Sequence, residues 1–422
     1  MVSSITSNMF YRTTDKIESN TLLNRGIVDV FGYAVPTAIN ANNKDEARER
    51  ALASCVYFTV AFLSPLVVLP LANKVLLKQA GITKGMQDKG VEIVRLSKKY
   101  LVKDSKEMLK GLEELKFDLK NHPSNKTKEK FKNVDKDFQG VLDRFPDKEE
   151  LREKLLKAHT KIAIADYVVT GSLLIAECFG VKELTKILTG RTGFSAEYKM
   201  AEDDYTKKNA QKHEQNKKTK ILASVAIMLG GAVAANRFVQ KSFLKQNPQG
   251  LMKWVKNNAD KFNYTDGKFM RVLPYFLITL FGDIPPYLLS ARDKYERRDS
   301  AARTTLCMSV FFGGDALLSG VFGRVFDKAF KTKLVNTEGL NEKLGFFKRA
   351  TAPIYTLEEL RKKTTWDKNL LKRTQKFGMG MYWLNLALVI LTLGIAMPKV
   401  LNHILKRSVD EDLKAKQNGD KK

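Results

Sequence analysis

Four carboxylates lie inside stretches that are otherwise dominated by apolar residues. Asp166 and Glu177 fall within Ile162–Val181, Asp283 within Val272–Ala291, and Asp315 within Thr304–Gly323. Asp166 and Glu177 are eleven residues apart, which at ~3.6 residues per turn returns to within ~20° of the same helix face. Two acids on one apolar face suit proton relay or cation binding. The same residues also suit plainer roles, closing helix ends or pairing with nearby lysines. Asp283, between Gly282 and Pro285-Pro286, and Asp315, after Gly313-Gly314, are placed to cap a following helix.

A second group is basic. Arg292, Lys294, Arg297, Arg298 and Arg303 crowd the connector between two apolar stretches, and such clusters attract anionic lipid headgroups. A third group is small. Gly230, Gly231, Ala234 and Ala235 repeat at four-residue spacing, so one helix face is nearly bare backbone and allows close helix–helix packing.

Catalytic and metal chemistry find little support. Cys55, Cys178 and Cys307 all lie in apolar stretches, where thiols behave as small hydrophobes. His122, His159, His213 and His403 are scattered, and none sits in a nucleophile or zinc motif. Gly313-Gly314-Asp315 has no preceding strand and no following Gly-Lys-Ser, so it is not a phosphate loop. We therefore expect no metal, no cofactor and no catalytic residue.

The 422 residues carry 73 Lys+Arg against 46 Asp+Glu, a formal net charge of +27. That charge favours polyanions, either lipid headgroups or nucleic acid. No zinc-finger spacing, RNA-binding signature or basic arm accompanies it, so nucleic acid is the lesser expectation.

The elements that must position these residues are helices. Six apolar stretches stand out: Ala51–Asn73, Ile162–Val181, Ile221–Asn236, Val272–Ala291, Thr304–Gly323 and Phe377–Pro398. The first and last carry no charge and are long enough to span a ~30 Å hydrocarbon layer at ~1.5 Å per residue. Between Gln79 and Thr160 the chain is different, with 20 basic and 15 acidic residues. Met108, Leu112, Leu115 and Leu119 form a helical stripe there, and Phe138, Val141, Leu142 and Phe145 form another. Pro146 reads as a stop, and Asp147 with Glu150 as a capped new start. No run alternates at period two, and Asp266-Gly267 is the one clear hairpin turn.

One self-similarity recurs at an offset of 250 residues. Phe31-Gly32, Pro36, Ala41, Lys44, Glu46, Arg48 and Ala51 return as Phe281-Gly282, Pro286, Ala291, Lys294, Glu296, Arg298 and Ala301, eight identities in 21 positions. Further along, Lys74-Val75 and Lys78 match Arg324-Val325 and Lys328. The repeated unit would be a short apolar helix with a Phe-Gly break, a charged connector and a long apolar helix.

These features predict an all-α, helical membrane protein with an internal duplication and a charged, water-facing helical subdomain. Its expected parts are residues 1–78 (first repeat unit), 79–160 (charged subdomain), 161–245 (apolar helices two and three), 246–330 (second repeat unit), 331–376 (charged insert) and 377–422 (C-terminal span and basic tail). If all six stretches crossed, one set of loops would hold about 43 basic residues and the other about 27, placing the charged subdomain in the cytoplasm. The basic connector 292–303 would then have to be translocated, so stretches four and five are expected not to cross both. The function expected is a non-enzymatic membrane scaffold contacting anionic lipid, with a protein-partner surface on the 84–160 helices. A transporter or channel using the four carboxylates is the alternative, and a soluble nucleic-acid-binding protein the third reading.

Overall fold

In the computed structural model, the described residues are 9–19, 26–41, 44–83, 134–190, 211–257, 279–310, 315–336, 354–363 and 365–419. Short pieces between 104 and 133, and at 264–265 and 269–270, are also described. The chain is helical. Its elements in order are α1 (Met9–Ser19), π1 (Val28–Ala34), α2 (Val35–Ile39), α3 (Lys44–Phe58), π2 (Thr59–Leu63), α4 (Ser64–Gln79), α5 (Val134–Arg144), α6 (Lys148–Thr189), α7 (Lys217–Leu244) and α8 (Gly250–Asn257). They continue as β1 (Tyr264–Thr265), β2 (Phe269–Met270), π3 (Thr279–Asp283), α9 (Ile284–Leu289), α10 (Lys294–Ser309), α11 (Asp315–Phe330), α12 (Leu357–Lys362), α13 (Lys368–Ile390), π4 (Leu391–Ala396) and α14 (Met397–Gly419). The two-residue strands pair antiparallel, Tyr264 with Met270 and Thr265 with Phe269. They flank the Asp266-Gly267 turn, which itself lies outside the described residues.

Proline explains the four π turns whose full ranges are described. Each ends two residues before a proline: Ala34 before Pro36, Leu63 before Pro65, Asp283 before Pro285, and Ala396 before Pro398. Proline donates no backbone hydrogen bond, and its ring clashes with the carbonyl four residues earlier. Widening the preceding turn moves that carbonyl aside while the helix continues. At three of the four sites the residue four before a proline is glycine: Gly32, Gly282 and Gly394.

Two stretches of chain contain a similar series of elements, the first with π2 between its charged and apolar helices. A π turn bearing Phe-Gly, a short proline helix, a charged helix and an apolar helix run from Val28 to Gln79, and again from Thr279 to Phe330. The charged helices begin at Lys44 and Lys294, 250 residues apart.

Three helices among those described are long and apolar enough to cross a membrane: Lys148–Thr189, Lys217–Leu244 and Lys368–Ile404. They contain the second, third and sixth apolar stretches. Ala51–Asn73 instead runs through the end of α3, π2 and most of α4, with Pro70 inside the helix.

The chain divides into two compact units. Unit one comprises 1–58, 180–215 and 291–422; unit two comprises 59–179 and 216–290. In unit two, Leu69 and Leu77 of α4, Val141 and Phe145 around α5, Leu151, Leu155 and Ile162 of α6, Phe243 of α7 and Val255 of α8 share one buried core. The amphipathic face expected at Val141, Leu142 and Phe145 is thus packed on apolar helices. Asp147 accepts the Glu149 N–H at 2.9 Å, and α6 begins where Pro146 and Asp147 predict. The stripe at Leu112, Leu115 and Leu119 falls outside the described residues, while Met108 is buried in this core.

In unit one, Leu386, Val389, Leu393, Met397 and Leu401 form a core with Tyr33, Ala302 and Cys307 packed against it. Here π4 crosses π1. A Cβ added to Gly394 would stand 2.7 Å from Pro36 Cγ and 3.1 Å from the Gly32 carbonyl oxygen, so only glycine fits without a shift. Asn40 Nδ2 donates to the Pro36 carbonyl at 2.8 Å and the Gly394 carbonyl at 3.4 Å, and Asn402 Nδ2 donates to the Asn40 carbonyl at 3.0 Å. The amphipathic α1 is tied to the same unit, with the Leu357 N–H donating to Glu18 at 2.7 Å and Trp383 Nε1 to Thr14 at 3.1 Å.

Candidate functional site

The basic connector 292–303 is a helix, and its 3.6-residue period sorts its charges. Asp293 caps α10, accepting the N–H groups of Tyr295 and Glu296 at 2.8 Å each. Arg292, Glu296, Ser300 and Arg303 then fall on the buried side, whereas Lys294, Arg297 and Arg298 are exposed. Of the five basic residues expected at lipid headgroups, Arg292 and Arg303 are therefore corrected: they face into the protein. Arg303 pairs with Asp299 at 3.0 Å. Lys294, Arg297 and Arg298 remain an outward basic face.

Arg292 is the centre of a buried charge cluster in unit one. Its Nη1 and Nη2 donate to the two carboxylate oxygens of Glu49, at 3.2 and 2.8 Å. Its Nε donates to Glu296 at 3.1 Å, and its backbone N–H to the same carboxylate at 2.6 Å. Lys182 reaches the far side of Glu296 at 2.8 Å. The result is a chain Glu49–Arg292–Glu296–Lys182 joining α3, α10 and the C-terminal part of α6. Taking such charges out of water costs several kcal/mol per ion, which the fork geometry and extra hydrogen bonds must offset.

The environment sets the ionisation states. Burial alone would raise Glu296, but Arg292 and Lys182 hold it well below the usual carboxylate range. Burial pushes Glu49 up, opposed by Arg292. Burial also pushes Asp293 up, reinforced by Glu296 and opposed by the two N–H bonds. Desolvation would lower Arg292, but Glu296 and Glu49 hold its guanidinium charged, above its ordinary range.

The same acidic positions recur at the offset of 250. Glu46 on α3 is buried and ion-paired with Arg50, as Glu296 is with Arg292; Glu49 and Asp299 are likewise each paired with arginine. The sequence signal was present in the matched Lys44/Glu46/Arg48 and Lys294/Glu296/Arg298, but a connector assumed to be solvated hid it. Glu49 and Lys182 were missed altogether, because their partners, Arg292 and Glu296, are each more than a hundred residues away.

The four expected carboxylates fall on three elements: α6, the start of α9 and the start of α11. Asp166 is fully buried and Glu177 nearly so, both on α6, and the Cys178 thiol contacts Glu177 at 3.5 Å. Asp283 stands at the start of α9 without a side-chain capping bond. Asp315 opens α11. Among the described residues, no group of three or more His, Cys, Asp and Glu is placed to hold a metal.

The small-residue face of α7 is split. Gly231 seats the Phe281 ring, where a Cβ would come within 2.4 Å, and Ala235 is half-buried. Gly230 and Ala234 face outward. On α6, Gly171 admits the Met228 side chain in the same way. The apolar stretch of α7 is only 12 % buried, against 61 % for α6 and 39 % for Lys368–Ile404. Leu222, Ile227, Leu229 and Val233 are all exposed.

The chain matches no family model, no curated protein and no solved structure.

Proposed function

We propose that this protein is a membrane-embedded, non-enzymatic scaffold that contacts anionic lipid. The observation that carries the reading is the bare apolar surface of α7. Leaving a Leu, Ile or Val side chain in water rather than burying it forfeits about 1.5–3 kcal/mol. A hydrocarbon layer removes that cost at Leu222, Ile227, Leu229 and Val233 together. The outward Lys294, Arg297 and Arg298 supply headgroup contact, at about 1 kcal/mol per basic residue near an anionic surface. The excess of basic residues in the loops that include the charged subdomain supports a cytoplasmic orientation for it, with the 84–160 helices as the partner surface. A nucleic-acid role leaves the apolar face of α7 unexplained.

Two measurements test the reading. Full-length protein expressed in bacteria should stay in the membrane pellet after alkaline carbonate extraction and leave it only with detergent; recovery in the supernatant refutes insertion. In nanodiscs, anionic lipid should raise the unfolding midpoint over neutral lipid. Lys294→Glu, Arg297→Glu and Arg298→Glu combined should abolish that rise, and an unchanged rise refutes the headgroup contact.

The alternative is a transporter with a duplicated core, and one observation favours it. The Gly-x-x-x-Pro break recurs at corresponding positions of the two repeat units, Gly32–Pro36 and Gly282–Pro286, and paired interrupted helices are a feature of transporter sites. Substrate or proton flux in liposomes, lost in Asp166→Asn and Asp283→Asn, would decide for it.

A further inference from the structure

Among the described residues, the buried charge cluster of unit one holds more carboxylates than cations. Glu49, Asp293 and Glu296 bring three carboxylates to it, and Arg292 and Lys182 bring two cations. Arg292 Nε, Nη1 and Nη2 donate to Glu49 and Glu296. Glu46 and Arg50 on α3 pair with each other, as do Asp299 and Arg303 on α10.

The deficit falls on Asp293. It is 8 % exposed, and its Oδ1 takes both capping N–H bonds. Its Oδ2 is buried and has no hydrogen-bond partner among the described residues. The start of α10 contributes about half a positive charge, but it is directed at Oδ1. An ionised carboxylate with one oxygen buried and bare is costly, and a neutral carboxyl in the same place costs far less.

We propose that the cluster is a proton-binding site and that Asp293 Oδ2 holds the proton, taken from solvent, at neutral pH. Glu49 and Glu296 stay ionised because Arg292 and Lys182 bind them directly, so Asp293 is the acid left to be neutralised. Proton affinity is thereby tied to the contact between α3 and α10: separating Glu49 from Arg292 would free the guanidinium to compensate Asp293 and release the proton. Burial raises the Asp293 carboxyl as it does that of Glu49; what sets Asp293 apart is that its Oδ2 has no hydrogen-bond partner among the described residues, whereas Arg292 binds both oxygens of Glu49.

Infrared spectroscopy of the full-length protein in detergent tests the proposal. At neutral pH the wild type should show a carboxylic-acid C=O band that is missing from Asp293→Asn, and the difference band should vanish as pH rises. Other buried acids, such as Asp166 and Glu177, cancel in the subtraction. Asp293→Ser keeps a capping oxygen and gives the same subtraction if the Asn variant does not fold. No difference band at neutral pH means an ionised Asp293 and overturns the proposal. A difference band that sodium chloride removes at fixed pH, and choline chloride does not, means a cation competes for Oδ2; that overturns a site selective for the proton. The experiment contains no lipid, so its failure is independent of the membrane reading.

Discussion

Substituting alanine at two glycines of one continuous helix should move stability in opposite directions. Gly380 lies on the exposed face of α13, and nothing stands within 4 Å of an added Cβ. Glycine in an exposed helix costs about 0.5–1 kcal/mol relative to alanine, so Gly380→Ala should stabilise by about that amount. Gly394, fourteen residues on, is at the crossing of π1 and π4. Its Cβ would come within 2.7 and 3.0 Å of Pro36 carbons and 3.1 Å of the Gly32 oxygen. Carbon atoms prefer separations of ~3.5–4.0 Å, so the two segments must part by most of an ångström. The obstacle is a proline ring and backbone, neither of which can rotate away. Overpacking of this kind costs about 1–3 kcal/mol, which exceeds the propensity gain. The assay is the unfolding midpoint of purified full-length protein in one detergent. At about 2–4 °C per kcal/mol for a unit of this size, Gly380→Ala should rise by a few degrees and Gly394→Ala fall. A rise in both would refute the argument that the proline-widened turns are interlocked.

Three further outcomes are expected. Glu49→Gln should lower stability by about 3–5 kcal/mol, because Arg292 keeps its charge in a buried place; Glu49→Met with Arg292→Met should recover much of that, and a Glu49→Gln protein as stable as wild type would refute the cluster. Burial pushes the Tyr11 hydroxyl up to about 12 from its ordinary 10, reinforced by Asp15 and Glu18. Its folded value exceeds its unfolded one, so its contribution is complete below pH 10 and is lost as pH rises through about 12. Tyr11→Phe should remove one late-titrating phenolate from the ultraviolet absorbance titration, and an unchanged late phase would refute the assignment. Reversing Lys294, Arg297 and Arg298 to glutamate should lower stability in anionic nanodiscs by about 1 kcal/mol or more per residue while leaving neutral nanodiscs unaffected.

What the sequence determined by itself is local. Helix as the only long element among the described residues follows from the absence of period-two alternation, and Pro146-Asp147 marks the start of α6 because a stop and a cap act within one turn. The second, third and sixth apolar stretches are legible as long apolar helices by length and hydropathy alone. Breaks at Pro36, Pro65, Pro285 and Pro398 are dictated by a missing donor and a ring clash, both fixed within four residues.

Which face of each helix turns inward, and what it meets, is set by contacts distant in the chain. The sequence shows Arg292, Lys294, Arg297, Arg298 and Arg303 as one basic cluster, yet Glu49 draws Arg292 inside from 243 residues away, and Lys182 pairs with the neighbouring Glu296. Gly230, Gly231, Ala234 and Ala235 read as a single packing face, yet Phe281 occupies only the Gly231 side. A helical period fixes which residues share a face, because 100° per residue is a property of the backbone. Which face is buried depends on partners brought together by chain folding, and no local rule contains them.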